Sequence, residues 1–173
     1  MAIYIALGAN QNSQFDNREN TPSKTFSLVF NVLENRDIHV SKVSGLWESP
    51  AWPDPKAQPA YKNAVIEVNT SIEALHLLKT LKDLEYAFGR REGERNAARP
   101  LDLDILDYSG QQINKPGLTL PHPRMCDRPF VLFPLYEVAP DWRDPIKNRT
   151  IIDWIARLEQ SEVKPLKRLG KIA

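Results

Sequence analysis

Hydrophobic residues change their spacing several times along this chain, and each change predicts an element. Residues 3–7 form a short apolar, β-prone run that ends in Gly8-Ala9-Asn10, a strand entering a loop. Polar residues fill 11–22. Thr21 and Ser23 bracket Pro22, which reads as a helix start, and Phe26, Val29, Phe30 and Leu33 then recur at helical spacing to about Glu34. Residues 38–48 read as a second strand. Pro50, Pro53, Pro55 and Pro59 make 49–59 a loop. A third strand covers 61–69, where Ala64, Ile66 and Val68 alternate with Asn63, Val65 and Glu67.

The next stretch, Thr70-Ser71-Ile72-Glu73, has the pattern of a capping box. The helix after it sets Ile72, Leu75, Leu78, Leu81, Leu84 and Phe88 on one face and ends at Gly89. A charged loop covers 89–100, a strand 101–106 and a turn-rich connection 107–120. Residues 128–138 are mostly apolar and read as a helix, and 150–158 read as a short amphipathic one. The order β-α-β-β-α-β plus a C-terminal extension predicts an α+β, ferredoxin-like sandwich with helices on one face of its sheet. It is read as a single domain over 1–173.

Composition narrows the function classes. The chain has 173 residues, 42% hydrophobic and 26% charged, an ordinary globular mix. A net charge of +1 gives no whole-protein field to recruit nucleic acid or an anionic membrane, so any anion site must be a local cluster. Cys126 is the single cysteine, which rules out an internal disulfide or a CxxC zinc site. No run approaches the ~18 apolar residues of a membrane span, and the first residues lack a signal-peptide pattern. The expectation is a cytoplasmic protein.

Candidate chemistry concentrates in Leu101-Asp102-Leu103-Asp104-Ile105. Side chains alternate along a strand, so Leu101, Leu103 and Ile105 face the core while Asp102 and Asp104 share the other face. Two neighbouring carboxylates repel, and Asp is disfavoured in strands. A hard divalent cation would relieve that conflict; a solvated strand face is the equal alternative for this stretch alone. The preceding loop carries Arg90, Arg91, Arg95 and Arg99, whose planar forks match phosphate oxygens. Glu92 and Glu94 partly neutralise it, and without the aspartates it would read as a solvated loop.

Two further clusters are weaker. One is Leu120-Pro121-His122-Pro123-Arg124 with Arg128 and Phe130, which suits another phosphate contact. The other joins Ser49-Pro50 to Tyr61-Lys62-Asn63. Tyr61 and Asn63, two apart on a strand, face one side and offer an aromatic surface and an amide to a flat heterocycle. A Tyr packed on a loop is the plainer reading. No Walker A, GxGxxG, GxSxG or HExxH pattern is present.

Taken in order, these pieces resemble the 6-hydroxymethyl-7,8-dihydropterin pyrophosphokinase family, from Ile3 to about Pro140. The most specific element is Arg99-Pro100-Leu101-Asp102-Leu103-Asp104-Ile105 followed by Leu118-Thr119-Leu120-Pro121-His122-Pro123. Gly8-Ala9-Asn10, Gln58-Pro59-Ala60-Tyr61-Lys62-Asn63-Ala64, Leu84-Glu85 with Gly89-Arg90, and Arg128-Pro129-Phe130 complete it.

The resemblance implies transfer of pyrophosphate from MgATP to 6-hydroxymethyl-7,8-dihydropterin, with AMP leaving; a monomer is the separate expectation. It implies that Asp102 and Asp104 hold two Mg²⁺ ions and act in catalysis with Arg90 and Arg99. Arg90, Arg95, Arg99, His122 and Arg128 would lie along the nucleotide phosphates and ribose, and Glu85 and Ile105 would line the nucleotide pocket. Tyr61 and Phe130 would sandwich the pterin, with Asn63, Ser49 and the backbone near Pro50 at its edge. The loops after the first strand, at 49–59 and at 89–99 would close over the substrates.

Three positions depart from the family pattern. No Trp-Gly stands between Arg95 and Arg99, Pro123 replaces a Tyr found in some relatives, and Ala9 replaces a Ser. They bear on loop closure and nucleotide contact rather than on the chemistry. The rival readings are another Mg-dependent nucleotidyl or phosphoryl transferase, and a non-catalytic ferredoxin-like ligand- or RNA-binding module. The second would normally show strand aromatics and a basic surface.

Overall fold

Alternation in the first strand organises the whole chain. In β1 (Ile3–Ala9), Ile3, Ile5 and Leu7 point to one side of a sheet and Tyr4 and Ala6 to the other. The computed structural model describes residues 2–93 and 95–172. In it, β1 is the inner strand between β6 (Tyr61–Asn69) and β7 (Asp102–Tyr108), antiparallel to both, with Leu7 opposite Ala64 on one flank and Leu103 on the other. Beyond β6 lie β4 (His39–Val43) and β5 (Leu46–Ser49), and β10 (Lys167–Gly170) pairs with β5. Among the described residues the main sheet has six strands in the order β10-β5-β6-β1-β7, with β4 also on β6. The class is α+β.

Where one strand was expected over 38–48 there are two. Ser44 separates them: its N–H donates to the Val65 carbonyl at 3.0 Å, and its hydroxyl accepts from the Val65 N–H at 3.0 Å. A side chain thus satisfies a backbone donor at the break, so β4 and β5 pair in turn with the two halves of β6.

The first face of the sheet is covered by α1 (Pro22–Glu34) and α2 (Ala74–Ala87). Thr21 caps α1 by accepting from the Lys24 N–H, and Phe26, Val29 and Leu33 are fully buried. The expected capping box before α2 does not form. Thr70 accepts the N–H of Ile72 instead, and the cap position is Glu73. Packing against the sheet buries Ala74, Leu77, Leu81 and Leu84, while Leu75 is 43% exposed. Of the expected stripe, Leu81, Leu84 and Phe88 are fully buried and Ile72 and Leu78 pack partly buried against the same core, so the correction falls on Leu75 alone.

The sheet is also covered on its second face, where none of the expected helices was placed. Helix α3 (Pro129–Val138) lays Val131, Leu132, Leu135 and Val138 against Tyr4, Val65 and Leu106. Helix α4 (Ile151–Ala156) packs Ile151 and Trp154 onto the same cluster. It opens with a capping box, Thr150 with Asp153. The chain then passes through α5 (Gln160–Val163) to β10.

Two hairpins occupy stretches read as loops. β2 (Ser13–Phe15) and β3 (Arg18–Asn20) turn through Asp16 and Asn17, both in the left-handed region. β8 (Ile113–Lys115) and β9 (Leu118–Leu120) form the other. Among the described residues, no helix is long and apolar enough to cross a membrane.

Candidate active site

A cavity of about 850 Å³ opens on the second face of the sheet, beside the first turn of α3. Strand register determines what its floor presents. Asp102 is opposite Gly8, Gly8 opposite Asn63, and Asn63 opposite Trp47, while Ser49 is opposite Tyr61. Directly opposed residues point to the same side. Asp102 and Asp104 on β7 therefore share one face with Tyr61 and Asn63 on β6 and Ser49 on β5. Gly8 keeps the floor bare between them: a Cβ there would meet Asn63 Oδ1 and the Asp102 Cβ, each at 3.9 Å.

The acidic end of the cavity is held by arginines. Arg90 donates to Asp102 Oδ1 at 2.6 Å and Arg99 to Oδ2 at 3.1 Å. Burial would raise the Asp102 carboxyl; these two guanidinium groups outweigh it and hold the group below the usual carboxylate range. Asp104 is pushed the other way, by burial and then by the Asp102 charge. Two carboxylates on one strand face, one of them destabilised as an anion, are a donor set that suits a hard cation. Among the described residues no group of three or more His, Cys, Asp or Glu side chains gathers to hold a metal. A divalent ion here would need substrate oxygens to complete its shell, as Mg²⁺ with a polyphosphate does.

Behind the cavity stands Glu85, 3% exposed on α2. Its carboxylate accepts the Leu103 N–H at 2.7 Å and pairs with Lys82 at 3.0 Å and with Arg90 at 2.9 Å. Burial raises its carboxyl. It ties helix, strand and Arg90 together. His122 follows the second hairpin; its N–H donates to the Leu106 carbonyl at 2.7 Å, and its Nδ1 accepts from the Arg124 N–H at 3.1 Å. In the neutral ring the proton is therefore on Nε2. Burial lowers the imidazole's proton affinity and also that of Arg128.

The other end is aromatic and amide-bearing. Asn63 donates to the Ser49 hydroxyl at 2.9 Å, which fixes its amide on the floor. Tyr61 and Phe130 both line the cavity, and the Arg128 guanidinium lies 5.7 Å from the Phe130 ring centre.

One residue joins the three loops around this cavity. Asn10, 3% exposed, accepts the Arg99 N–H at 2.8 Å and donates to Gln58 Oε1 at 3.0 Å and to the Pro59 carbonyl at 3.2 Å. Its own N–H donates to the Arg99 carbonyl at 3.0 Å. Gln58 reaches on to the Asn96 carbonyl, and the Tyr61 hydroxyl to that of Ala97. The first hairpin is anchored separately, with Phe15 stacked on Phe88 at 4.1 Å and the Gln14 N–H donating to the Phe88 carbonyl.

The cavity wall thus gathers Ser49, Pro50, Tyr61, Asn63, Asp102, Asp104, Phe130 and the arginines 95, 99 and 128. Glu85, Arg90, Ile105 and His122 are not part of that wall; Arg90 reaches it through Asp102, and Ile105 is turned to the α1/α2 core. Glu94 lies outside the described residues. Sequence reasoning gave no role to Asn10, a single polar residue after a strand, nor to Glu162, Pro165 and Leu166, which also line the cavity. No local signal connects these C-terminal residues to Asp102 and Asp104, some sixty positions earlier.

Residues 4–140 match the family profile of 7,8-dihydro-6-hydroxymethylpterin-pyrophosphokinase. The chain is 37% identical over 162 residues to a 2-amino-4-hydroxy-6-hydroxymethyldihydropteridine pyrophosphokinase of Synechocystis, covering 94% of this chain and 78% of that one. It is 37% identical over 142 residues to the protein of that name from Haemophilus influenzae, covering 82% and 83%. It is 32% identical over 168 residues to a folic acid synthesis protein of Pneumocystis carinii, covering 95% of this chain but 21% of that one.

Proposed function

Because this chain belongs to the 7,8-dihydro-6-hydroxymethylpterin-pyrophosphokinase family, it is a pyrophosphokinase of folate synthesis, and we propose that its cavity divides the work between two substrates. ATP takes the end with Asp102, Asp104 and the arginines; 6-hydroxymethyl-7,8-dihydropterin takes the end with Tyr61, Asn63, Ser49 and Phe130. The observation that carries this reading is the single sheet face that joins the two ends across the bare backbone of Gly8.

The pterin hydroxymethyl oxygen gives up its proton to solvent and forms a bond to the β-phosphorus of ATP. The bond from that phosphorus to the α,β-bridging oxygen breaks, and AMP leaves with the electron pair. Tyr61 and Phe130 hold the ring by its faces, and Asn63, Ser49 and the Pro50 backbone fix its edge, so the attacking oxygen is presented toward the phosphate. Arg90, Arg95, Arg99, His122 and Arg128 line up along phosphates and ribose, with Glu85 and Ile105 behind them. Asp102 and Asp104 would hold two Mg²⁺ ions, which neutralise the triphosphate and the charge that grows on its oxygens. Arg90 and Arg99, paired with Asp102 in the free chain, turn to phosphate oxygens as nucleotide enters.

The strand order β7-β1-β6-β5, with α1 and α2 crossing one face, supports a ferredoxin-like sandwich to which α3, α4, α5 and β10 are added within one domain of 173 residues. We read the protein as a cytoplasmic monomer with no nucleic-acid or membrane partner; its single free thiol, Cys126, suits a reducing compartment. Incubation with ATP, Mg²⁺ and the pterin should give AMP and pterin diphosphate in equal amounts. ADP, or free pyrophosphate with a nucleotidylated product, would refute the reading.

A further inference from the structure

The heterocycle end of the cavity is built in part by residues beyond the span that matches the family profile. β10 pairs antiparallel with β5, Lys167 opposite Glu48 and Arg168 opposite Trp47. Continuing that register toward the cavity sets Leu166 beside Ser49 one residue on and Pro165 beside Pro50 two residues on. Opposed residues share a face, so Leu166 lies on the face that carries Ser49, Asn63 and Tyr61. Pro165, Leu166 and Glu162 all line the cavity.

The segment is fixed from behind. Arg168 pairs with Glu137 of α3 at 3.1 Å, and the same carboxylate accepts from the Trp47 indole and from the Gly45 N–H. The Arg168 guanidinium lies flat on Gly45, where a Cβ would come within 2.7 Å of it. Strand, helix and sheet edge thus converge on one ion pair, two residues from Leu166.

Neighbouring strands are about 4.8 Å apart, so β10 is roughly 19 Å across the sheet from the aspartates of β7. The hydroxymethyl group must point toward β7 to reach the phosphate. The opposite, amino-and-keto end of the ring then points toward β5 and β10.

We propose that residues 162–168 form the outer wall of the heterocycle subsite, with Leu166 as a specificity-determining contact for the amino end of the ring and Arg168 as the positioning residue that holds the wall in place. The proposal rests on the pterin reading given above. An apolar side chain closing that edge admits an unsubstituted amino group and excludes a larger one.

The test uses the full chain and two substrates, 6-hydroxymethyl-7,8-dihydropterin and its 2-N-methylated analogue, with KM and calorimetric Kd measured for pterin and for MgATP or its non-hydrolysable analogue. Leu166→Ala should raise pterin KM about tenfold, leave the ATP KM within about twofold, and shift the kcat/KM ratio toward the methylated analogue by about tenfold. Arg168→Met should raise pterin KM in the same way, and Arg168→Lys should restore part of it. Pterin affinity within about twofold of wild type in both Leu166→Ala and Arg168→Met, or equal losses for pterin and ATP, would overturn the proposal. If wild type binds pterin but yields no AMP, the reaction reading fails alone, and the Kd ratios still decide the role of the wall.

Discussion

Arg90 lies between two carboxylates, its Nη1 2.6 Å from Asp102 Oδ1 and 2.9 Å from Glu85 Oε2. One partner faces the cavity and the other is buried in the helix layer. Burial works against its charge, but Asp102 and then Glu85 more than compensate and strengthen its hold on the proton. Glu85 thus aims Arg90 at the place where nucleotide phosphates arrive. Replacing Glu85 by Gln should keep the Leu103 hydrogen bond but weaken the aim. A fall in kcat with little change in pterin KM is expected, and an unchanged kcat would remove this role.

The aspartates should be the least replaceable residues of the cavity. Asp102→Ala or Asp104→Ala should lower kcat by at least about 10²–10³, by analogy with the loss of an electrostatic donor from a transition state. Asp102→Ala also strands Arg90 and Arg99 without their common partner, so it should disturb nucleotide binding more than Asp104→Ala does. Single-turnover measurement of AMP formation, with direct nucleotide binding, separates the two effects.

Asn10 should control the loops as a unit. Asn10→Ala deprives the Arg99 N–H and the Pro59 carbonyl of their partner, and unpaired buried groups cost about 1–3 kcal/mol each. Both KM values should rise together, because the 49–59 and 89–99 loops lose a shared anchor. Hydrogen exchange should quicken in both loops. Faster exchange in one loop alone would contradict the hub.

What the sequence disclosed here depended on periodicity. The alternation in 101–106 and 61–69 placed Asp102, Asp104, Tyr61 and Asn63 on recognisable faces, because a strand's period of two leaves no freedom once its apolar side is known. The helix over 22–34 was legible from its own period of 3.6 and its Pro22 start. α2 was misread at its start because Thr70 can bond a backbone N–H in a turn as readily as at a cap, and only the tertiary packing of Leu77 decides. The covering of the second face, the Asn10 contacts and the pairing of β10 with β5 are long-range events. No local pattern carries them.

Alkaline stability should report on two acids of the second-face core, Tyr4 buried and Cys126 partly buried. Burial pushes the Cys126 thiol up to about 12, and burial with the Glu67 and Asp107 charges raises the Tyr4 phenol to about 12. In the unfolded chain these groups ionise near ~8.5 and ~10. Above those values the unfolded state releases protons that the folded state keeps, so stability is full below about pH 8.5 and falls as pH rises toward 12. Thermal melts from pH 7 to 10.5 should show this decline, and Cys126→Ala should flatten its first part. A melting temperature that is level to pH 10.5 would contradict it.

The two ends of the cavity should separate under mutation. Tyr61 is half-buried against the cavity, and its hydroxyl reaches the Ala97 carbonyl at a long 3.4 Å, so little of the fold depends on it. Phe130 is half-buried at the start of α3, beside Arg128. Losing one stacking ring removes bound-state contact of about 1–3 kcal/mol. Tyr61→Ala or Phe130→Ala should therefore weaken pterin binding roughly 5- to 150-fold and change MgATP binding little. Arg128 complicates the second variant, since its guanidinium loses the Phe130 ring and so part of its support. Phe130→Leu keeps apolar bulk without the flat face and should lose less than Phe130→Ala. Calorimetry on folded variants, with pterin and a non-hydrolysable MgATP analogue titrated separately, reads each end by itself. Equal loss of both ligands in Tyr61→Ala would mean that the ring supports the fold rather than the heterocycle.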